Sequence, residues 1–368
     1  MAFDPSQSNP SPSNQPVPPT VPMGQAPVDP SAPPKKSNPI VKVGIGCASL
    51  LVLACVAFSG LVWYQDRQQK QNYAQGHAAY LQADCASAME PLTKAANGDP
   101  GSTSNEVAAL ARSELAECEA FNALAANGTA DLSTSLFAYS DFLDLYPASP
   151  LQAPALAQAQ DLVASNDPSA LVSGDLCSSI DRFIDNQIIA TPDQTVPELL
   201  FACGNGYEAA NMPSDALDMY HRFRLDYPDH ALAGEVEEAF ARASVAEAAA
   251  YGAGTLPPPQ QMGEGTGEGN AIVIIQNHSP DQLSLVFSGP QALIEEIAPC
   301  TDCVEFTEAT VPDACPELGP VATYEVPPGD YSVVVKSVSS DGVTPFIGSW
   351  SLAPGQEYSS CFYLITAN

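Results

Sequence analysis

The residues best suited to chemistry are four cysteines near the C-terminus: Cys300, Cys303, Cys315 and Cys361. The first two form a Cys-x-x-Cys motif in a segment rich in Thr and Pro. Such a pair occurs in zinc sites, in redox centres and in structural disulfides. A zinc ribbon needs a second close pair, and a redox pair is expected at the start of a helix that follows a strand. We therefore predict two structural disulfides whose connectivity stays open, with zinc binding and redox chemistry as alternatives.

Elsewhere the chain has no pattern typical of an enzyme. The four histidines show no paired spacing, and no His-Glu-x-x-His or phosphate-binding glycine loop is present. We predict no catalytic residue, no cofactor and no metal ligand. A thiol oxidoreductase that uses Cys300 and Cys303 is the enzymatic alternative, and Trp350 is a candidate for stacking on a ligand.

The charge of the chain limits the classes of partner. The 368 residues include 43 acidic and 12 basic side chains, and residues 65–368 hold 41 of the acids and 9 of the bases. Such a charge repels nucleic acid and anionic lipid surfaces. The sequence thus excludes a nucleic-acid partner and favours a basic protein, although a solvated surface suited to high salt explains the charge equally well.

An internal repeat organises the middle of the chain. Six apolar or turn residues recur with an offset of 81 residues, which predicts a duplicated helix–turn–helix. The matching positions are Leu136, Tyr139, Phe142, Tyr146, Pro147 and Leu151 in the first copy, and Leu217, Tyr220, Phe223, Tyr227, Pro228 and Leu232 in the second.

The segment from Tyr139 to Ser149 follows the pattern Tyr-x-x-Phe-x-x-x-Tyr-Pro-x-Ser. In this it resembles the tetratricopeptide-type repeats of bacterial envelope proteins. The resemblance implies a helical repeat region over residues 71–251, in two cassettes of about 71–165 and 166–251. It also implies a binding groove, but the groove residues cannot be transferred to this chain.

Two pairs of cysteines follow the same duplication. Cys85 and Cys118 precede the first Tyr-Pro copy, and Cys177 and Cys203 precede the second. We predict that a disulfide joins each pair, the alternative being four free cysteines in the core.

A run of 22 uncharged residues, from Val43 to Tyr64, is long enough for a single membrane span. Lysines before the run and the cysteine-rich region after it predict a cytoplasmic N-terminus and an extracytoplasmic C-terminal region. Lipid attachment at Cys55 is the alternative. Residues 1–39, rich in Pro, Ser, Asn and Gln, are predicted to be a disordered tail.

The C-terminal region changes to the pattern of strands. Residues 252–270 read as a Gly/Pro linker, and residues 271–368 contain six predicted strands, which suggest a disulfide-linked antiparallel β-sandwich. The stretch from Val326 to Val335, with its Pro-Gly turn before a Tyr-x-Val-x-Val strand, is similar to small bacterial surface domains of the PEGA type.

These observations predict a multidomain fold: one transmembrane helix at 40–64, an all-α tetratricopeptide-like repeat region and a C-terminal all-β sandwich. The expected function is a membrane-anchored, non-enzymatic scaffold or adaptor that binds a protein partner at the cell envelope. A sensor module that binds a small molecule or polysaccharide is the alternative.

Overall fold

The computed structural model describes residues 41–97, 105–126, 131–307, 310, 315–338 and 343–366. The predicted tail at 1–39 lies outside these residues. The chain divides into two compact units, Met1–Val62 and Trp63–Asn368. The second unit contains the C-terminal part of helix α1 and every later element.

Eleven helices lie within the described residues. Several of them have an aspartate as the N-cap residue. For example, the side chain of Asp131 accepts a hydrogen bond of 2.9 Å from the backbone N–H of Thr134. The helices are α1 (Val41–Tyr80), α2 (Cys85–Ala96), α3 (Asn105–Ala126), α4 (Leu132–Leu145), α5 (Gln152–Ala164), α6 (Pro168–Leu171), α7 (Gly174–Cys177), α8 (Ile180–Asp185), α9 (Pro192–Ala209), α10 (Pro213–Asp226) and α11 (Ala233–Ala250).

The prediction of a membrane span at 40–64, and with it the single-pass localisation, is wrong. None of the helices in the described ranges is both long and apolar enough to cross a bilayer. The apolar run forms the first part of α1, a 40-residue helix that continues without a break into the polar segment that ends at Tyr80. The apolar residues alone predict a separate membrane helix that ends near Tyr64, whereas the helix continues to Tyr80.

The two Tyr-Pro copies fold alike. Tyr146 and Tyr227 cap α4 and α10, and their backbone N–H groups donate to the carbonyls of Phe142 and Phe223. Pro147 and Pro228 follow these caps, where a helix cannot easily continue. The apolar residues shared by the copies point into one continuous core. Each copy is therefore a helix, a tight turn and a second helix, as the spacing predicts.

The segments that precede the copies differ. In the first, α2 is a regular helix of 12 residues that packs on α3. In the second, the corresponding stretch breaks into the short helices α6, α7 and α8, in a sequence with Pro168 and Gly174. Both residues are poor in helix interiors. The broken stretch leaves the side of α9 partly uncovered.

Eleven strands lie within the described residues of the C-terminal region. They form a five-stranded sheet of order β1-β9-β8-β4-β5, a four-stranded sheet of order β2-β10-β3-β7, and the pair β11-β6. The strands are β1 (Gly254–Thr255), β2 (Gln260–Met262), β3 (Ala271–Asn277), β4 (Leu283–Ser288), β5 (Leu293–Ile297), β6 (Phe306–Thr307), β7 (Val321–Val326), β8 (Gly329–Ser337), β9 (Phe346–Leu352), β10 (Glu357–Phe362) and β11 (Ile365–Thr366).

The five-stranded sheet is covered on both faces. On β4, Leu285 and Phe287 point toward the four-stranded sheet, whereas Val286 points to the opposite face. There Val286, together with Val334 of β8, packs against Ala241 and Ala248 of α11. Helix and sheets thus form three successive layers, because alternate residues of a strand face opposite sides.

The predicted fold class is therefore wrong. An independent all-α repeat region and an all-β antiparallel sandwich are absent from the described chain; both larger sheets are mixed, since β1 runs parallel to β9 and β3 parallel to β10. The segment predicted as a linker supplies β1 to one sheet and β2 to the other. Strands of two and three residues show no alternation that a sequence pattern could reveal.

A polar cluster fastens α1 to α3. Tyr73 Oη and His77 Nδ1 both lie 2.8 Å from Oε1 of the buried Glu114. The hydroxyl of Tyr80 donates to Glu117. Burial first, and the neighbouring carboxylates second, raise the pKa of Tyr73 and of Tyr80 from 10.0 to about 12. The folded chain therefore holds these hydroxyl protons more tightly than the unfolded chain does.

We expect Gly204→Ala to destabilise the helical core. A Cβ at Gly204 would overlap the ring of Tyr220, whereas a Cβ at Gly234 of α11 would meet nothing within 4 Å. Overpacking of this kind costs about 1–3 kcal/mol. Gly234→Ala is the matched control and should leave stability unchanged or raise it by up to about 1 kcal/mol. Urea unfolding of both variants measures the difference, and equal midpoints would contradict the packing described.

Alkaline pH should loosen α1. Because the pKa values of Tyr73 and Tyr80 are raised, their contribution to stability is fully present below pH 10 and is lost as the pH rises through about 12. The double variant Tyr73→Phe/Tyr80→Phe should lose less urea stability than the wild type between pH 10 and 12. Tyr251→Phe, at a tyrosine that is 69% exposed, serves as control. The same pH dependence in all three proteins would argue against this coupling.

Candidate functional site

An open groove lies beside α9, where the broken helices of the second cassette leave space. It has a volume of about 600 Å³. We call it the α6–α9 groove, and the residues that characterise it are Asp167, Val172, Glu198, Phe201, Asn205 and Leu232.

The floor of the groove is apolar. Phe201 of α9 and Val172, which caps α6, are both half-buried and pack on the helical core. A Cβ at Gly206 would lie 2.5 Å from Cγ1 of Val172, so the absence of a side chain there lets the end of α6 approach α9. The close approach sets the width of the floor at this point.

The rim of the groove is acidic. Asp167 accepts hydrogen bonds from the backbone N–H and hydroxyl of Ser169, which lower the pKa of its carboxyl group. Asp167 is therefore ionised at neutral pH. Glu198, on the facing helix, is exposed and makes no ion pair with any Lys or Arg in the described ranges. A cation that enters the groove would meet two carboxylates.

Tyr220 holds the inner wall. This side chain is completely buried, and its Oη lies 2.9 Å from both Asn205 Oδ1 and Glu208 Oε2. Burial, and then the charge of Glu208, raise the pKa of Tyr220 well above its usual value. The hydroxyl thus stays protonated and fixes Asn205 at the edge of the groove. Tyr220 belongs to the second Tyr-Pro copy, so this copy positions the inner wall of the groove through the contact with Asn205.

Most Lys and Arg side chains after position 64 are already paired. Seven of the nine Lys and Arg residues that follow position 64 form ion pairs with carboxylates. Arg182 of α8, for instance, binds Asp141 and Asp144 of α4, each at 2.6 Å. These contacts link the two cassettes and lower the pKa of Asp144. The remaining carboxylates give the helical surface a net negative potential that surface cations do not offset.

A smaller cavity of about 210 Å³ lies at one end of the two larger sheets. Apolar side chains such as Leu256, Phe346 and Phe362 line much of it. Lys336 is the cation in its wall, and Lys336 Nζ already lies 3.5 Å from Oε2 of Glu247. The α6–α9 groove is larger, and its carboxylates make no ion pair in the described chain, so it is the better candidate for a functional site.

The prediction that the chain contains disulfides is confirmed. Cys85 bonds to Cys118 and joins α2 to α3, and Cys177 bonds to Cys203 and joins α7 to α9. These are the pairs expected from the duplication. The second of them anchors the broken helices against α9, next to the floor of the groove. It therefore holds the candidate site together.

The four C-terminal cysteines form two further disulfides, Cys300–Cys303 and Cys315–Cys361. The second spans 46 residues of sequence and the first spans 3. In the chain-entropy treatment the longer loop gives about 2 kcal/mol more stabilisation than the short one. Cys315–Cys361 thus has the larger structural effect of the two.

Trp350 lies in the core between the sheets. Its side chain is 0% exposed, its ring contacts Phe287 edge-on at 5.4 Å, and its Nε1–H donates to the carbonyl of Pro257 at 3.0 Å. The indole consequently has no exposed face on which a ligand could stack. Phe201, which the sequence analysis did not select, is the accessible aromatic residue of the candidate site. Phe201 is accessible only because the segment before α9 breaks into the short helices α6–α8, which the sequence pattern does not predict.

Comparison with known proteins identifies no family. No protein-family model and no curated protein matches the chain significantly. One of the similar solved structures is the crystal structure of the S-layer protein rSbsC(31-844), with 14% sequence identity and a TM-score of 0.19. The match covers 80% of this chain but only 45% of that chain. At this TM-score the similarity supports no conclusion about fold or function.

Proposed function

We propose that this protein is a non-enzymatic scaffold or adaptor that holds a basic segment of a protein partner in the α6–α9 groove. The supporting observation is the combination of an apolar floor with an acidic rim whose charges lack counterions in the described chain. A Lys or Arg side chain suits this arrangement, because its aliphatic stem can cover Phe201 while its charged end reaches Glu198 or Asp167.

The surroundings of the groove favour such a partner over a small anion or nucleic acid. The net charge of the chain is -31, so the long-range field repels anions and attracts basic proteins. The groove is also open, which suits an extended segment better than an enclosed small molecule. The four disulfides are compatible with an extracellular protein.

The proposal predicts a selective preference for basic peptides. An array of random 12-residue peptides, each with one aromatic residue, would be prepared with net charges of about +4, 0 and -4. The oxidised full chain should bind the basic set best, and the binding should weaken as salt is raised, since ions screen exposed charges. An array on which basic peptides bind no better than acidic ones would contradict the proposal.

A charge reversal locates the binding site. Glu198→Lys should weaken binding to the selected basic peptides at least about tenfold, which corresponds to about 1.4 kcal/mol. The matched control is Glu238→Lys, at an exposed position of α11 that does not line the groove. If both variants lose affinity equally, the general surface charge and not the groove accounts for the binding.

A further inference from the structure

The Cys300–Cys303 disulfide lies against a buried histidine. Sγ of Cys303 is 3.3 Å from Nδ1 of His278, and the same nitrogen is 3.1 Å from the carbonyl oxygen of Leu318. His278 is 4% exposed, and its ring stacks on Phe306 with centroids 5.4 Å apart. An N–H on Nδ1 can thus donate to the carbonyl or to the sulfur without any movement of the ring.

The surrounding turn fixes this histidine. Its backbone N–H donates to the carbonyl of Phe362 at 2.8 Å. The neighbouring Asn277 is completely buried and donates from its side chain to the carbonyls of Asp281 and Ala298, both at 2.9 Å. Backbone and stacking contacts therefore hold the imidazole beside the sulfur in one orientation.

The local structure has little need of this disulfide. Cys300 already donates its backbone N–H to Ser279, Cys303 donates to Cys300, and Phe306 donates to Leu364. The first of these bonds attaches the loop to the turn that follows β3, and the last attaches it to the segment between β10 and β11. A disulfide that closes three residues adds little chain constraint to them. The position of His278 is then better explained by the chemistry of the sulfur than by the stability of the loop.

We infer that Cys300–Cys303 is a redox-active pair that exchanges with a dithiol, with Cys300 as the sulfur attacked and Cys303 as the leaving thiolate that His278 stabilises. This inference goes beyond the proposed binding function and uses different residues. Hydrogen bonding from a nearby N–H favours the thiolate over the thiol, and a more stable thiolate leaves more readily.

The exchange balances in two steps. A thiolate of the external dithiol bonds to Sγ of Cys300, the Cys300–Cys303 bond breaks, and its electron pair passes to Sγ of Cys303. The second thiol of the reagent, as its thiolate, then attacks the mixed disulfide and releases Cys300. The dithiol is oxidised to a cyclic disulfide, and the two cysteines are reduced and take up the two protons that it loses.

Burial restricts which reagents can react, and the surroundings of His278 leave its N–H near the sulfur. Cys300 and Cys303 are only 4% and 8% exposed, so a slender dithiol reaches them more easily than a bulky one. The carboxylates nearest in sequence are Asp281 on the turn and Asp302 in the loop, and within the described residues neither forms a hydrogen bond with His278. Only the carbonyl of Leu318, and neither of these carboxylates, therefore competes with the sulfur for the N–H on Nδ1.

Equilibration with dithiothreitol tests the inference. The oxidised full chain would be held at pH 7 over a series of reduced-to-oxidised dithiothreitol ratios, trapped with N-ethylmaleimide and mapped by peptide mass spectrometry. Cys300 and Cys303 should become reduced at a ratio at least tenfold lower than the other three pairs, with an unchanged circular dichroism spectrum. Opening of the more exposed Cys315–Cys361 first, or of all four pairs together with unfolding, would overturn it.

A variant of the histidine separates chemistry from structure. His278→Phe keeps a ring that can stack on Phe306 but has no N–H donor. In the reduced protein, the pH midpoint for iodoacetamide alkylation of Cys303 should rise by at least one unit, while His230→Phe in the helical region leaves it unchanged. An unchanged midpoint in His278→Phe would refute the role of His278; if that variant does not fold, the wild-type equilibrium alone decides. Peptide binding in the α6–α9 groove is measured in a separate experiment, so its failure would not count against the redox role of Cys300 and Cys303.

Discussion

The contact between α11 and the five-stranded sheet determines how the rest of this unit is arranged. Small side chains, Ala241 and Ala248, let the helix approach Val286 and Val334 closely, and burial of this apolar surface excludes water from the outer face of the sheet. The same helix begins beside Leu232, which lines the α6–α9 groove. The wall of the candidate site is therefore continuous with a helix that is fixed on the sheets.

Much of the helical region could be predicted because its signals are local. The spacing of Tyr220, Phe223 and Tyr227 places the aromatic side chains on one helical face, and the proline that follows ends the helix. The pairing of Cys177 with Cys203 followed from the duplication. The groove could not be predicted, because it depends on where α6 and α7 break and on how closely Gly206 lets Val172 approach.

The arrangement of the sheets depended on contacts distant in sequence. Residues 254–262 look like a linker, yet Leu256 enters the core and Pro257 accepts a hydrogen bond from Trp350. One signal was present but was not used: Val333, Val334 and Val335 form an unbroken apolar run, typical of a strand buried on both faces. The span predicted at 40–64 fails for a related reason, since a run of apolar residues does not show where its helix ends.

The central claim is that α11 joins the helical and β regions of this unit into one cooperative structure. Thermal unfolding of the oxidised full chain, followed by circular dichroism at 222 nm and by tryptophan fluorescence, tests it directly. The change in fluorescence reports mainly the buried Trp350, because the other tryptophan, Trp63, is already 63% exposed in the folded chain. Both signals should change in one transition, and Ala248→Glu should lower both midpoints together, because it buries a charge at a cost of several kcal/mol. Ala246→Glu, on the exposed side of α11, should change neither. Two separate transitions in the wild type would contradict the account.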